Sequence, residues 1–379
     1  MTDVDRLAEL SDRGVSIWLD SLNRERLCGG GLAALVRDRH VVGVTTNPTI
    51  FQQALANGAH YAGQVHDLGL RRVSPEEAAR SLIGYDVRWA CDVLRPVYDR
   101  SDGLDGYVSI EVDPSVAHDT GKTVAEARAL QWLIARPNVM IKIPATEAGL
   151  AAIAAATAEG ISVNVTLVFG LARYAAVIDA YLGGLERAAA AGLDLRTIRS
   201  VASLFVSRVD TEIDGRLNKV GTADAQALLG RAGIANARLA YRHYEAVIAT
   251  PRWRRLEERG ATRQRPLWAS TGVKNSAYPD TMYVTQLVAP DTVNTMPDAT
   301  LDAVADHAEL GSGTIHSSYE DATTVLEALP RVGIDYEDAM NTLERDGVQK
   351  FVDSWNELLS KLRAALCAAR DRQPPTRSK

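Results

Sequence analysis

Eight short β-prone runs recur along this 379-residue chain with helical segments between them, and that alternation limits its fold more than any other feature. The runs occupy residues 16–20, 41–45, 106–111, 139–143, 161–166, 201–206, 266–270 and 291–295. The segments between most of them are rich in Ala, Leu, Glu and Arg with a 3.6-residue apolar period, as over 171–190 and 223–248. Strand, helix, strand repeated eight times predicts a (β/α)8 TIM barrel. Several runs are apolar on both faces, as parallel strands covered by helices must be. No Pro/Ser-rich linker divides the chain, so residues 1–370 are expected to form a single barrel domain. The long helical stretches 52–99 and 335–370 exceed an ordinary connection and predict additional helices around the barrel. The tail 371–379, with two prolines and no large apolar residue, is expected to fray.

Composition narrows the partners. With 46% apolar residues and a net charge of −6, the chain is globular and has no basic surplus for nucleic acid, so any anion must be gripped locally. That favours a small phosphorylated ligand. Cys28, Cys91 and Cys367 lie far apart without CxxC spacing, which speaks against disulfides and zinc and suits a reducing cytoplasm. No apolar run nears the roughly 18 residues of a membrane span. The first eleven residues carry three acidic side chains where a signal peptide would be basic and then apolar. A soluble, cytoplasmic protein without a membrane partner is the expectation.

A barrel of this kind builds its chemistry at the C-terminal ends of its strands. Here those ends carry Asp20, Thr45-Thr46-Asn47, Glu111, Lys142, Asn164 with Thr166, Ser203 with Arg208, Ser270 with Lys274, and Asn294. Any one of these residues can serve as a turn or cap. Together they place two carboxylates, a lysine in an apolar run, neutral donors and two more cations at one rim.

Lys142 lies within Met140-Ile141-Lys142-Ile143-Pro144. Burial penalises the protonated amine, which is the direction a nucleophile needs to attack a ketone and form an imine. A lysine that snorkels at a strand end, or one paired with an acid, fits the same spacing. Asp20 and Glu111 close the first and third runs and can divide acid and base roles, or act as caps or turn residues. Arg208 and Lys274 follow the sixth and seventh runs, where barrels commonly hold phosphate, and Gly272 permits close backbone approach. Surface salt bridges to Asp210 or Glu212 are the plainer alternative.

Other motifs carry no function. Gly121-Lys122-Thr123 resembles the end of a P-loop but has Val116 where the earlier glycine belongs, and Gly311-Ser312-Gly313 lacks a third glycine and a preceding strand. The seven histidines show no metal-ligand spacing, so no metal is expected.

The stretches Trp18-Leu19-Asp20, Gly43-Val44-Thr45-Thr46-Asn47-Pro48, Val108-Ser109-Ile110-Glu111-Val112, Ile141-Lys142-Ile143-Pro144-Ala145-Thr146, Asn164-Val165-Thr166-Leu167 and Ser203-Leu204-Phe205-Val206-Ser207-Arg208 occur in one order. In these motifs the chain resembles the transaldolases along nearly its whole length. It further resembles their longer bacterial branch through Ala269-Ser270-Thr271-Gly272-Val273-Lys274.

The resemblance implies a barrel of the class I aldolase type and a cofactor-free transferase. The enzyme would move a dihydroxyacetone unit from sedoheptulose 7-phosphate to glyceraldehyde 3-phosphate, giving erythrose 4-phosphate and fructose 6-phosphate, in the non-oxidative pentose phosphate pathway. It implies Lys142 as the Schiff-base lysine, Asp20 as the proton-transfer group, and Glu111 with Thr166 as holders of the water of imine exchange. Thr45, Asn47 and Asn164 would bind sugar hydroxyls and orient the lysine. Phe205 would line the pocket, and Ser203 with Arg208 would grip phosphate. Lys274 stands where shorter members of the family carry an arginine, so a point charge replaces a bidentate fork. Related aldolases, which release the three-carbon product to water, tend to carry Gln and Tyr at the positions of Glu111 and Phe205. A non-catalytic sugar-phosphate-binding relative is the rival from another class. The oligomeric state is open, with a homodimer one option.

Overall fold

The computed structural model describes residues 5–56, 58–311 and 315–371. Its eight strands are β1 Val15–Leu19, β2 Val41–Val44, β3 Tyr107–Glu111, β4 Val139–Pro144, β5 Val163–Val168, β6 Ser200–Phe205, β7 Gln264–Ala269 and β8 Thr292–Met296. They close a parallel barrel in sequence order, with β8 paired to β1. All eight expected runs are strands, displaced by at most about two residues at their ends, where turn chemistry competes with the ladder. Helices lie between the strands, which is the (β/α)8 architecture.

Period-two alternation sorts each strand into an outer and an inner face. Ile141 and Ile143 of β4 pack into the layer between sheet and helices, whereas Met140 belongs to the cluster with Trp18, Tyr107, Val201, Leu267 and Val293 inside the barrel. Lys142 is two residues beyond Met140 and so shares its inward face. The same step leads from Trp18 to Asp20, from Tyr107 through Ser109 to Glu111, and from Val201 to Ser203. The interior is therefore layered, with an apolar plug beneath a polar mouth. Gly43 is required at the plug: a Cβ there would stand 2.4 Å from the Trp18 ring. Below it, Arg265 binds Ser16 and Asp105 and closes the opposite end.

The expected helix 171–190 is present as Leu171–Ala190. The expected helix 223–248 is broken into Ala223–Gln226 and Ala232–Ile248. The break falls at Gly230, whose φ of +70° leaves the helical region, and the Gly230 amide is held by Asp214. The stretch 52–99 resolves into several helices, ending in the 26-residue Pro75–Arg100. Gly121-Lys122-Thr123 lies in the first turn of helix Thr120–Ile134, while Ser312 and Gly313 lie outside the described residues.

The last helix, Tyr336–Asp371, has a seat that sequence periodicity alone could not give. Its buried residues Met340, Val348, Phe351, Leu358, Leu362 and Leu366 recur at roughly helical spacing and form one apolar stripe. Its part around Gly347 to Trp355 lies over the C-terminal mouth, and the later leucines pack on helix Ala62–Leu70. Gly347 packs against Leu167 and Phe169 at the end of β5, Ser354 bonds Thr49, and Trp355 Nε1 donates to Asp113 Oδ2 at 3.1 Å. Asp371 ends this helix, and the remainder of the expected tail lies outside the described residues. Among the described residues no helix is long and apolar enough to cross a membrane.

Candidate active site

Lys142 sits in the mouth with 4% of its surface exposed. It does not snorkel to solvent: its Nζ donates to the Thr46 carbonyl at 3.0 Å and stands 3.7 Å from Glu111 Oε2. The barrel register makes this arrangement, because Glu111 is the β3 partner of Lys142 and Asn164 is its β5 partner. Three consecutive strands thus deliver a carboxylate, an amine and an amide side by side on the inner face.

Burial raises Glu111 to about 7, against the opposing attraction of Lys142 and Arg208. Both of its carboxylate oxygens are buried without a hydrogen-bond partner in the protein, and so is the hydroxyl of Thr166. Buried polar atoms of this kind normally bond to water or ligand. They mark a polar recess beside the lysine. Just past Thr166 the chain takes a left-handed turn at Leu167, φ +56°, and the β5–β6 register slips there. A non-glycine residue in that region costs on the order of 1 kcal/mol. The slip turns Leu167 toward the C-terminal helix, where its methyl faces Gly347.

Asp20 lies across the mouth. Its amide bonds to the Met296 carbonyl of β8, which holds the carboxylate at the rim. Burial raises its pKa, while the nearby charge of Lys142 and the Thr45 hydrogen bond act in the opposite direction. Thr45 Oγ1 donates to Asp20 Oδ1 at 2.8 Å and lies 2.6 Å from Thr295 Oγ1. With Asp20 ionised, the single Thr45 proton goes to the carboxylate, so Thr295 must donate to Thr45. Asp20 is no helix cap, since Asn23 caps the helix that follows. It also forms a wall of a polar cleft of about 450 Å³ lined by Asn23, Glu25, Gln53 and His60.

Asn164 is held at both ends of its amide. Its Nδ2 donates to Ser109 Oγ at 2.8 Å, and Ser203 Oγ donates to its Oδ1 at 2.7 Å. Ser203 has therefore spent its one proton and has none to offer a phosphate. The structure pairs Ser203 with Asn164, not with Arg208. Asn47 caps the helix Pro48–Ala56 by accepting from the Ile50 amide at 3.0 Å, a bond that engages its Oδ1 and not its NH2.

Arg208 stands in the first turn of helix Val206–Val220. Its guanidinium carbon lies 4.8 Å from the Phe205 ring centroid and 5.8 Å from that of Phe351, so two aromatic faces hold it in place. The expected alternatives of surface pairing do not form. Asp210 instead accepts from Gly233 and Tyr283, and Glu212 pairs with Arg216. Tyr283 on Asp210 and Tyr278 on Asp214, each at 2.8 Å, pin the segment after β7 to the Arg208 helix. Lys274 lies in that segment. Ser270, at φ +54°, bonds Ser207 at its base.

The residues that sequence reasoning left out are Ser109, Thr295 and the Thr46 carbonyl. Ser109 sits on the inner face between Tyr107 and Glu111, so strand alternation carried a signal for it. Thr46 acts through its backbone, which no side-chain pattern reports.

Among the described residues, no group of three or more His, Cys, Asp or Glu side chains is arranged to hold a metal ion. A buried lysine beside two carboxylates of raised pKa, at the mouth of a (β/α)8 barrel, is an arrangement that can serve imine-forming carbonyl chemistry.

Residues 17–362 match the family model described as transaldolase/fructose-6-phosphate aldolase, and the chain belongs to that family. It is 60% identical to the transaldolase of Thermobifida fusca, over 96% of this chain and 98% of that protein. It is also 60% identical to the transaldolase of Acidothermus cellulolyticus, over 97% and 98% of the two chains. Transaldolase 2 of Streptomyces avermitilis is 59% identical over 96% of this chain and 97% of its own. A putative fructose-1,6-biphosphate aldolase from Coccidioides immitis overlays 93% of this chain and 95% of its own at a TM-score of 0.27 and 10% identity, a likeness too slight to bear on function.

Proposed function

We propose that this protein is a cytoplasmic transaldolase of the non-oxidative pentose phosphate pathway. Its substrates would be sedoheptulose 7-phosphate and glyceraldehyde 3-phosphate, and its products erythrose 4-phosphate and fructose 6-phosphate. The observation that carries this reading is the enclosure of Lys142 between Glu111 at 3.7 Å and the Thr46 carbonyl at 3.0 Å, in a mouth shared with Asp20.

In this reading the neutral amine of Lys142 attacks the C2 carbonyl of the ketose. The former carbonyl oxygen leaves as water, with Glu111 and Thr166 holding that water and passing its proton. Asp20 takes the proton of the C4 hydroxyl as the C3–C4 bond breaks, and the bonding electrons flow to the iminium nitrogen. The aldehyde departs and a three-carbon enamine stays on Lys142. Attack of its C3 on the acceptor aldehyde, with Asp20 returning the proton to the new C4 oxygen, rebuilds a ketose that hydrolysis releases. The protonated imine is the electron sink, so the residues present suffice for every step. Arg208 and Lys274 bind the phosphate, Thr45 holds Asp20, and Asn47 and Asn164 face the sugar hydroxyls. Phe205 walls the pocket.

Borohydride added with fructose 6-phosphate tests this reading. A reduced three-carbon adduct mapped to Lys142 is expected. An adduct on another residue, or none with active enzyme, defeats it.

A further inference from the structure

The function proposed above uses two cations for the phosphate, and the fold brings a third to the same place. Lys350 belongs to the C-terminal helix that crosses the barrel mouth, and it directly precedes Phe351, whose ring flanks the Arg208 guanidinium at 5.8 Å. The helix is fixed on both sides of this point, by Gly347 against Leu167 and Phe169 and by Ser354 on Thr49. Lys350 therefore stands on a rigid element, beside the residue that packs on Arg208.

Its lack of partners is informative because partners stand within reach of its own helix. Asp346 and Asp353 occupy positions four before and three after it, the spacings at which helical ion pairs form. Asp346 pairs instead with Arg345, and Asp353 accepts from Gln349. Farther along, Lys361 does take its helix neighbour Glu357, at 2.8 Å. Among the described residues, Arg208, Lys274 and Lys350 alike have no ion pair. Arg208 and, to a lesser degree, Lys274 also push the pKa of Lys350 down, which places the three charges in one electrostatic neighbourhood. Asp20 and Glu111 attract Arg208 from the mouth but form no ion pair with it, and a multivalent anion among the three cations relieves their mutual repulsion.

We propose that Lys350 is a third cationic contact for the substrate phosphate, so that the C-terminal helix completes the anion site above β6 and β7. The identity of the anion as a sugar phosphate rests on the transaldolase reading; the anion site itself does not. A phosphate dianion offers three terminal oxygens to the three cations. Lys350, exposed on its helix, contributes to affinity and not to the chemical step.

The test titrates inorganic phosphate calorimetrically into the wild type, Lys350→Met, Lys350→Arg and the same-helix control Lys361→Met at low salt. Steady-state kinetics with phosphorylated and unphosphorylated donors accompany it. Removing Lys350 is expected to weaken phosphate binding about threefold to tenfold, the range between an exposed pair and a charge-assisted bond. KM for fructose 6-phosphate should rise by a similar factor, with kcat and the use of unphosphorylated donor unchanged. Arginine should restore binding, and the Lys361 variant should match wild type. Unaltered phosphate affinity in Lys350→Met, or equal weakening in Lys361→Met, overturns the proposal. Lys350-dependent phosphate binding in a protein without three-carbon transfer would instead overturn the transaldolase reading and leave the anion site standing.

Discussion

Glu111 holds a carboxylate oxygen 3.7 Å from the Lys142 amine, and both side chains are almost wholly withdrawn from water, at 3% and 5% exposure. Separation beyond hydrogen-bond length leaves the carboxyl without a donor. Burial then outweighs the neighbouring positive charge, and Glu111 titrates near neutrality.

The first expectation concerns pH. Between the ordinary value of 4.5 and about 7, the folded protein binds the Glu111 proton and the unfolded chain does not. The stability linked to this group is therefore fully present below pH 4.5 and is lost as pH rises through 7. Lys142 and Arg208 limit the loss and Asp20 enlarges it. Glu111→Gln, neutral at every pH, should gain on wild type by up to about 3 kcal/mol across that window. Denaturant melts of both proteins at pH 4.5 and 8 measure the difference. Parallel curves would show that Glu111 is not the titrating group. Transfer activity should fall in the variant, with its ionisation near 7 gone from the rate profile.

Arg208 should govern phosphate recognition. Truncation to alanine removes a charge-assisted contact of about 1.5–3 kcal/mol, roughly tenfold to somewhat over a hundredfold in kcat/KM for phosphorylated sugars. Reaction with unphosphorylated dihydroxyacetone-type donors should stay closer to wild type. Equal losses with both donor classes would mean that Arg208 acts through packing on Phe205 and Phe351, not through phosphate.

A third expectation separates binding from scaffolding at Ser203. Because its hydroxyl donates to Asn164, Ser203→Ala leaves a buried amide oxygen unpaired and should destabilise the fold by about 1–3 kcal/mol. Ser109→Ala should act on the other end of the same amide, and the double variant should lose less than the sum of the two. Chemical denaturation measures all three. A rise in KM for phosphorylated sugar without loss of stability would return Ser203 to the phosphate site.

The last expectation concerns the fate of the enamine. Transfer and simple cleavage share Lys142 and Asp20 and differ only in whether the bound three-carbon unit is protonated and released. Phe205, packed on Phe169 with ring centroids 5.4 Å apart, offers no hydroxyl to organise that release. Fructose 6-phosphate alone should yield about one equivalent of glyceraldehyde 3-phosphate per site quickly and little free dihydroxyacetone. Erythrose 4-phosphate should then start steady turnover. Dihydroxyacetone released as fast as transfer proceeds would make the protein an aldolase.

Sequence alone settled what alternation and residue type can settle. The eight runs were legible because a parallel strand buried on both faces needs continuous apolar residues, and Lys142, Asp20 and Glu111 stood out as charges at the ends of such runs. Tertiary structure decided whatever depends on strands meeting. Register set Glu111, Lys142 and Asn164 side by side, gave Ser203 to Asn164, and brought Thr295 of β8 to Thr45 just past β2. It also laid the C-terminal helix over the mouth and Lys350 near Arg208, more than a hundred residues earlier in the chain. Local pattern reports which face of an element is apolar; which surface covers that face is fixed only when the barrel closes.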